Sequence, residues 1–256
     1  MRRRGLFGGG LLVVALVCTT AAQACEERLR VAIDIGHDLR DPGAISARGK
    51  SEYSFNVRLA LETVSALKST AMMDVFLIEE QGRSIALQER RARARVRNAD
   101  VMLSIHHDSV QEQFLSTTEH EGKTLRYTEL FQGYSLFYSE QNGNPTLSRE
   151  TASALGRALR AASLQPTDHH AMDVDGERRA FVDPENGVYR YDGLAVLKAE
   201  MPTVLLEAGV IVNPEEEALL EHPAYRRLLV DAITRGLDEM RCALVTGGSR
   251  SASAVR

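Results

Sequence analysis

The 256-residue sequence predicts an α/β fold, a single domain with a twisted, mostly parallel sheet and helices on both faces. Three observations carry this reading. Short apolar runs alternate with stretches of helical periodicity, the pattern of strands joined by crossover helices. The runs are mostly apolar, as expected of strands covered on both sides. No internal repeat interrupts the alternation. Composition agrees: 44% hydrophobic and 26% charged residues exclude a wholly disordered chain.

The elements follow in order. Leu29 to Ile35 (LRVAIDI) fits a buried strand ending at Gly36. Ser51 to Lys68 carries Phe55, Leu59, Val64 and Leu67 at helical spacing, with Ser51 placed to cap. Val75 to Ile78 reads as a strand, Ser84 to Asn98 as a helix and Val101 to Ile105 as the next strand. Gly133 to Ser139 is β-rich, and Thr146 to Ala162 is helical. Leu194 to Leu197 and Thr203 to Leu206 read as short strands. Asn213-Pro214-Glu215-Glu216 is a helix start, with a cap, a proline at the first position and glutamate after it. His222-Pro223 interrupts that helix, which resumes from Ala224 to Arg241. The Gly/Ser-rich segment 246–256 is expected to be a disordered tail.

Residues 1–24 read as a secretory signal peptide, leaving one folded domain over 25–245. Arg2, Arg3 and Arg4 form a basic start, Leu11 to Val17 an apolar core, and Ala22-Gln23-Ala24 a cleavage site. The apolar core is short for a bilayer span, so no transmembrane segment is expected after cleavage, and a periplasmic location follows. The sequence leaves the general secretory and twin-arginine routes both open. Net charge is −4 and falls further without the three arginines, which argues against nucleic acid as a partner. Cleavage also removes Cys18, leaving Cys25 and Cys242 in an oxidising compartment, where a disulfide joining the domain's two ends is expected. The absence of Trp weighs against a carbohydrate-stacking module.

The chemistry concentrates where strands end, since open α/β sheets build their sites outside the strands' carboxyl ends. The first strand runs into His37, the strand from Val101 into His106, and the strand from Thr203 into Glu207. Glu52 opens the helix after the first strand. Two imidazoles and a carboxylate suit a Zn²⁺ ion with an open position, and a further carboxylate can manage a proton. Each residue alone has an ordinary structural reading: a hydrogen-bonded histidine, or a glutamate serving a helix dipole.

Ordered blocks connect these residues. They are Ile33-Asp34-Ile35-Gly36-His37 with Asp41-Pro42-Gly43-Ala44, then Glu52, then Leu87-Gln88-Glu89-Arg90 leading to Asn98-Ala99-Asp100 and Ser104-Ile105-His106. Met201-Pro202-Thr203 through Glu207-Ala208-Gly209 and Asn213-Pro214-Glu215 close the series. Together they resemble the zinc-dependent N-acetylmuramoyl-L-alanine amidases of the Amidase_3 type, which act on peptidoglycan. The resemblance implies Zn²⁺ held by His37, Glu52 and His106, with Glu207 as the catalytic acid/base. It implies hydrolysis of the amide between N-acetylmuramic acid and the stem peptide's L-alanine. The rival readings are a secreted zinc peptidase or carboxypeptidase and a non-catalytic wall-binding protein.

Departures from the family pattern set further expectations. Asp38-Leu39 follows His37 where the family has glycines, which bears on the loop's geometry. His107 follows His106; adjacent side chains of an extended segment face opposite ways, so one of the two reaches the metal, with His106 preferred. Asp34 reads as a residue bonding its surroundings. In some members a helix near the segment from Asp108 to Gly133 plugs the zinc site until an activator protein removes it. Glu112, Glu119, Glu121 and Glu129 are the candidate blocking carboxylates here, and a polar surface loop is the preferred reading. His169-His170 and Arg178-Arg179 lie in a long irregular stretch, Pro166 to Tyr191, that reads either as a groove wall or as a solvated loop. Arg90, Arg93 and Arg97 share one face of a helix expected to be solvated.

Overall fold

The structure, a computed structural model, describes residues 26–253. The expected signal peptide and Cys25 lie outside the described residues. A seven-stranded sheet in the order β2-β1-β3-β9-β6-β8-β7 forms the centre. β1 spans Leu29–Ile35, β2 Met73–Leu77, β3 Val101–Asp108 and β9 Thr203–Val210. β6 spans Ser135–Tyr138, β7 Ala180–Asp183 and β8 Val188–Arg190. β2, β1, β3 and β9 pair in parallel, as do β6 and β8. The β9–β6 and β7–β8 contacts are antiparallel. The sheet is thus mostly parallel, as the apolar runs predict.

Five helices are described: α1 Glu52–Lys68, α2 Leu87–Val96, α3 Pro145–Ala161, α4 Pro214–Glu221 and α5 Pro223–Ser253. One face of the sheet carries α1, α3 and α5 over a core that includes Ile33, Leu59, Leu103, Leu155 and Ile233. The other carries α2 and a 3-10 turn, Ala195–Leu197, over Ala32, Met102, Phe137 and Leu205. The caps form as the sequence dictates. The Asn213 side chain accepts from the amides of Glu215 and Glu216, and Asn144 accepts from Leu147 N. Pro223 ends one helix and starts the next. Among the described residues no helix is long and apolar enough to cross a membrane.

Four expectations need correction. Leu194 to Leu197 is not a strand: Ala195–Leu197 forms a single 3-10 turn whose Val196 and Leu197 bury against the sheet. Periodicity alone cannot separate these readings for so short an apolar run. The stretch from Pro166 to Tyr191 is not irregular throughout, since it contains β7 and β8 at the sheet's edge. The segment from Asp108 to Gly133 holds a separate hairpin, β4 Ser116–His120 with β5 Lys123–Tyr127. Glu121 and Gly122 both take positive φ at its tip, the backbone of a two-residue hairpin turn. Finally, α5 continues through Thr246 to Ser253 where a disordered tail is expected. Leu244 and Val245 bury in the core, and Thr246 Oγ1 bonds the Cys242 carbonyl. The helix therefore has a packed, hydrogen-bonded turn from which to propagate.

Candidate metal and catalytic centre

β1 and β3 deliver His37 and His106 to the same end of the sheet. His37 has φ +64, a conformation that costs an L-residue about 1–2 kcal/mol. The surroundings hold it there. Arg90 reaches from α2 to donate to the Ile35 carbonyl at 2.5 Å and the His37 carbonyl at 2.9 Å. It also pairs with Asp34 at 2.9 Å, and Asp34 in turn accepts from Ser104 Oγ at 2.7 Å. Asp34 is thus the bonding residue expected. Arg90 is not solvated but buried, because the loop presents it with three acceptors in one place. The Asp38 carboxylate accepts from the amides of Arg40 and Asp41, so this loop closes on a side chain where the family pattern has glycine.

Glu52 sits in the first turn of α1 and is buried. One carboxylate oxygen lies 3.0 Å from His37 Nε2, the other 3.0 Å from His106 Nδ1. The three donor atoms lie within 4.8 Å of one another. Burial favours the neutral acid, but hydrogen bonds from His106 and His37 outweigh it and hold the Glu52 carboxyl well below its usual range. Two glycines make room: a Cβ on Gly36 would meet the His106 imidazole at 2.5 Å, and one on Gly43 would meet His37 Cδ2 at 2.7 Å. The donor set, two imidazoles and an ionised carboxylate, fits a Zn²⁺-type ion.

His107 turns to the opposite face. It is buried against Phe55, and burial pushes its pKa down to about 3. Its Nδ1 donates to Asn56 Oδ1 at 2.7 Å, and the Asn56 amide donates to Glu52 Oε1 and to the Gly36 carbonyl, both at 3.1 Å. Asn56 therefore orients Glu52, a role sequence reading missed. Its signal is a polar amide one turn after Glu52 on the buried helix face.

Glu207 lies beside His106 in the β3–β9 register. Its Oε2 is buried and has no hydrogen-bond partner. Desolvation first, then repulsion from Asp108 and Glu52, pushes its pKa well above the usual value. A groove of about 400 Å³ opens beside the centre, lined by His37, Asp38, Arg90, His106, Leu194 and Leu205 among others.

None of the hairpin-segment carboxylates enters the centre. Glu112 bonds Arg126, Glu119 accepts from Thr124, and Glu121 forms the turn. His169 and His170 are neither solvated nor among the groove-lining residues. Both are buried and converge on Asp108, while Glu177 pairs with Arg179. Arg178 is exposed and pairs with Asp173 and Asp175.

Comparison with known proteins gives a consistent result. The N-acetylmuramoyl-L-alanine amidase family model (Amidase_3) matches residues 31–239. The chain is 29% identical over 217 residues to N-acetylmuramoyl-L-alanine amidase AmiC of Neisseria meningitidis, covering 81% of this chain. It spans 51% of that relative's length. The catalytic domain of the amidase CwlV from Bacillus (Paenibacillus) polymyxa superposes with a TM-score of 0.62 at 25% identity, covering 82% of this chain and 97% of that one. The amidase Ami1 from Mycobacterium smegmatis shares the fold, with a TM-score of 0.66 at 20% identity over 87% of this chain and 99% of that one. The match of the family model over residues 31–239, most of the chain, shows that the chain belongs to the N-acetylmuramoyl-L-alanine amidase family.

Proposed function

We propose that this protein is a zinc-dependent amidase that cleaves the bond between N-acetylmuramic acid and the L-alanine of the peptidoglycan stem. The observation that carries this reading is the convergence of His37, Glu52 and His106 beside Glu207, whose buried Oε2 has no hydrogen-bond partner. A zinc ion at the three donors supplies Lewis acidity toward a carbonyl and toward water. The chain's own residues do the rest. Arg90 and Asp38 hold the loop that presents His37, and Asn56 keeps Glu52 aimed. Glu207, with its raised pKa, takes a proton from the attacking water and returns it to the departing alanine nitrogen. Digestion of purified murein tests the reading. The expected products are intact stem peptides with a free L-alanine amine and unsubstituted glycan strands, seen by mass spectrometry. Shortened stems still attached to glycan would instead mark a peptidase.

Location and partners follow from the same proposal. The N-terminal export signal takes the protein to the periplasm, where murein is its substrate. An activator protein is the second partner in this proposal, with the exposed β4–β5 hairpin as its contact surface. The proposal includes a Cys25–Cys242 disulfide. Arg241 Nη1 donates to the Glu27 carbonyl at 3.2 Å, which places the chain just after Cys25 alongside α5 next to Cys242. The loop so closed exceeds 200 residues, and chain entropy gives roughly 5 kcal/mol as an upper figure. Reduction is expected to lower the melting temperature and leave activity at moderate temperature intact. Two free thiols per chain under denaturing, non-reducing conditions would rule the bond out.

A further inference from the structure

We propose that Asp108, His169 and His170 form a second divalent-metal site, a structural clasp of the zinc class separate from the catalytic centre. All three are buried, and their donor atoms lie within 4.8 Å of one another. Asp108 Oδ2 faces His170 Nε2 at 2.8 Å and His169 Nε2 at 3.3 Å. The geometry resembles the Glu52 centre, where a carboxylate faces two imidazoles at 3.0 Å each.

The outer nitrogens are already engaged. His170 Nδ1 lies 2.9 Å from Glu177 Oε2, and His169 Nδ1 lies 2.8 Å from Thr167 Oγ1. A carboxylate that accepts a hydrogen bond from a histidine's Nδ1–H fixes the tautomer with the lone pair on Nε2, the usual support of a metal-bound imidazole. His169 Nε2 is buried and makes no hydrogen bond, although Asp108 is close by. A buried orphan nitrogen costs about 1–3 kcal/mol. One divalent ion between the two Nε2 atoms and Asp108 would satisfy it.

The donors tie together the end of β3 and the loop before β7, where Gln111 also bonds Glu177 at 3.0 Å. Asp108 ends β3, just past a register shift against β9, while His169 and His170 occupy a 3-10 turn in the loop before β7. Phe131 and Phe137 pack on the two imidazoles. With every donor buried, the site is closed to a polymeric substrate, which fits a structural role. Three protein donors leave one position for water or a neighbouring carboxylate.

Metal counting tests the proposal independently of the catalytic reading. The purified protein, equilibrated with excess zinc and desalted, is expected to carry two zinc ions per chain by elemental mass spectrometry. Glu52→Gln is expected to keep one, and so is His169→Ala. Cobalt replacement in Glu52→Gln is expected to give a visible d–d spectrum from the remaining site, a readout that does not require the His169 variant to fold. One zinc in the wild-type protein, lost in Glu52→Gln, would overturn the second site and leave the catalytic centre standing. One zinc retained in Glu52→Gln and lost in His169→Ala would uphold the second site and sink the first.

Discussion

Glu207→Gln is expected to keep its fold and its zinc and to lose about 10²- to 10⁴-fold in kcat, the usual contribution of a positioned acid/base. The substitution is nearly isosteric, and the oxygen it replaces has no partner to lose. It removes the negative charge that Asp108 and Glu52 repel, so no loss of melting temperature is expected from charge. The raised pKa matters for the chemistry. Burial raises the Glu207 pKa, which makes its carboxylate a stronger base toward water than an exposed one. The loss should fall on kcat, with KM held, because Glu207 acts on the moving proton more than on bound substrate. Turnover of murein by the variant near the wild-type rate would exclude Glu207 as the proton carrier.

Much of this centre was legible in the sequence because its residues follow strand ends, and a strand end is legible as an apolar run that stops. His37, His106 and Glu207 each terminate such a run, and the pleat alone turned His106 and His107 to opposite sides. Arg90 was not legible. Helical spacing placed it with Arg93 and Arg97, and nothing local shows that a segment 53 to 56 residues earlier would offer it Asp34 and two carbonyls. Asn56 was hidden for the opposite reason, as a polar group on a mostly apolar stripe whose partners come from its own helix and two other segments. The convergence of His169 and His170 on Asp108 spans 62 positions from His170 and depends on the β7–β8 edge, whose strands are too short to show a period. The β4–β5 hairpin escaped because its strands are exposed and polar, so only the Glu121-Gly122 turn marked it.

His106→Ala and Glu52→Gln are each expected to lose one equivalent of bound zinc together with activity, whereas His107→Ala is expected to keep the zinc and lose stability. The contrast follows from the two faces of β3. His106 Nδ1 meets Glu52 Oε1 at 3.0 Å on the groove side, and removing the imidazole leaves the centre one donor short. Replacing the Glu52 carboxylate by an amide removes the only negative charge among the three donors and leaves an amide nitrogen or a neutral oxygen facing His37 or His106. His107 points into the core, where its ring packs on Phe55 and its Nδ1–H satisfies Asn56 Oδ1. Its pKa, pushed down to about 3, keeps it neutral at any working pH, so its loss changes no charge near the metal. The cost is a buried carbonyl left without its donor, about 1–3 kcal/mol, plus the cavity the ring vacates. Zinc content, activity and urea melts on the three variants separate the roles. A His106→Ala protein that keeps full zinc, beside a His107→Ala protein that loses it, would move the ligand across the strand and break the geometry on which the catalytic proposal stands.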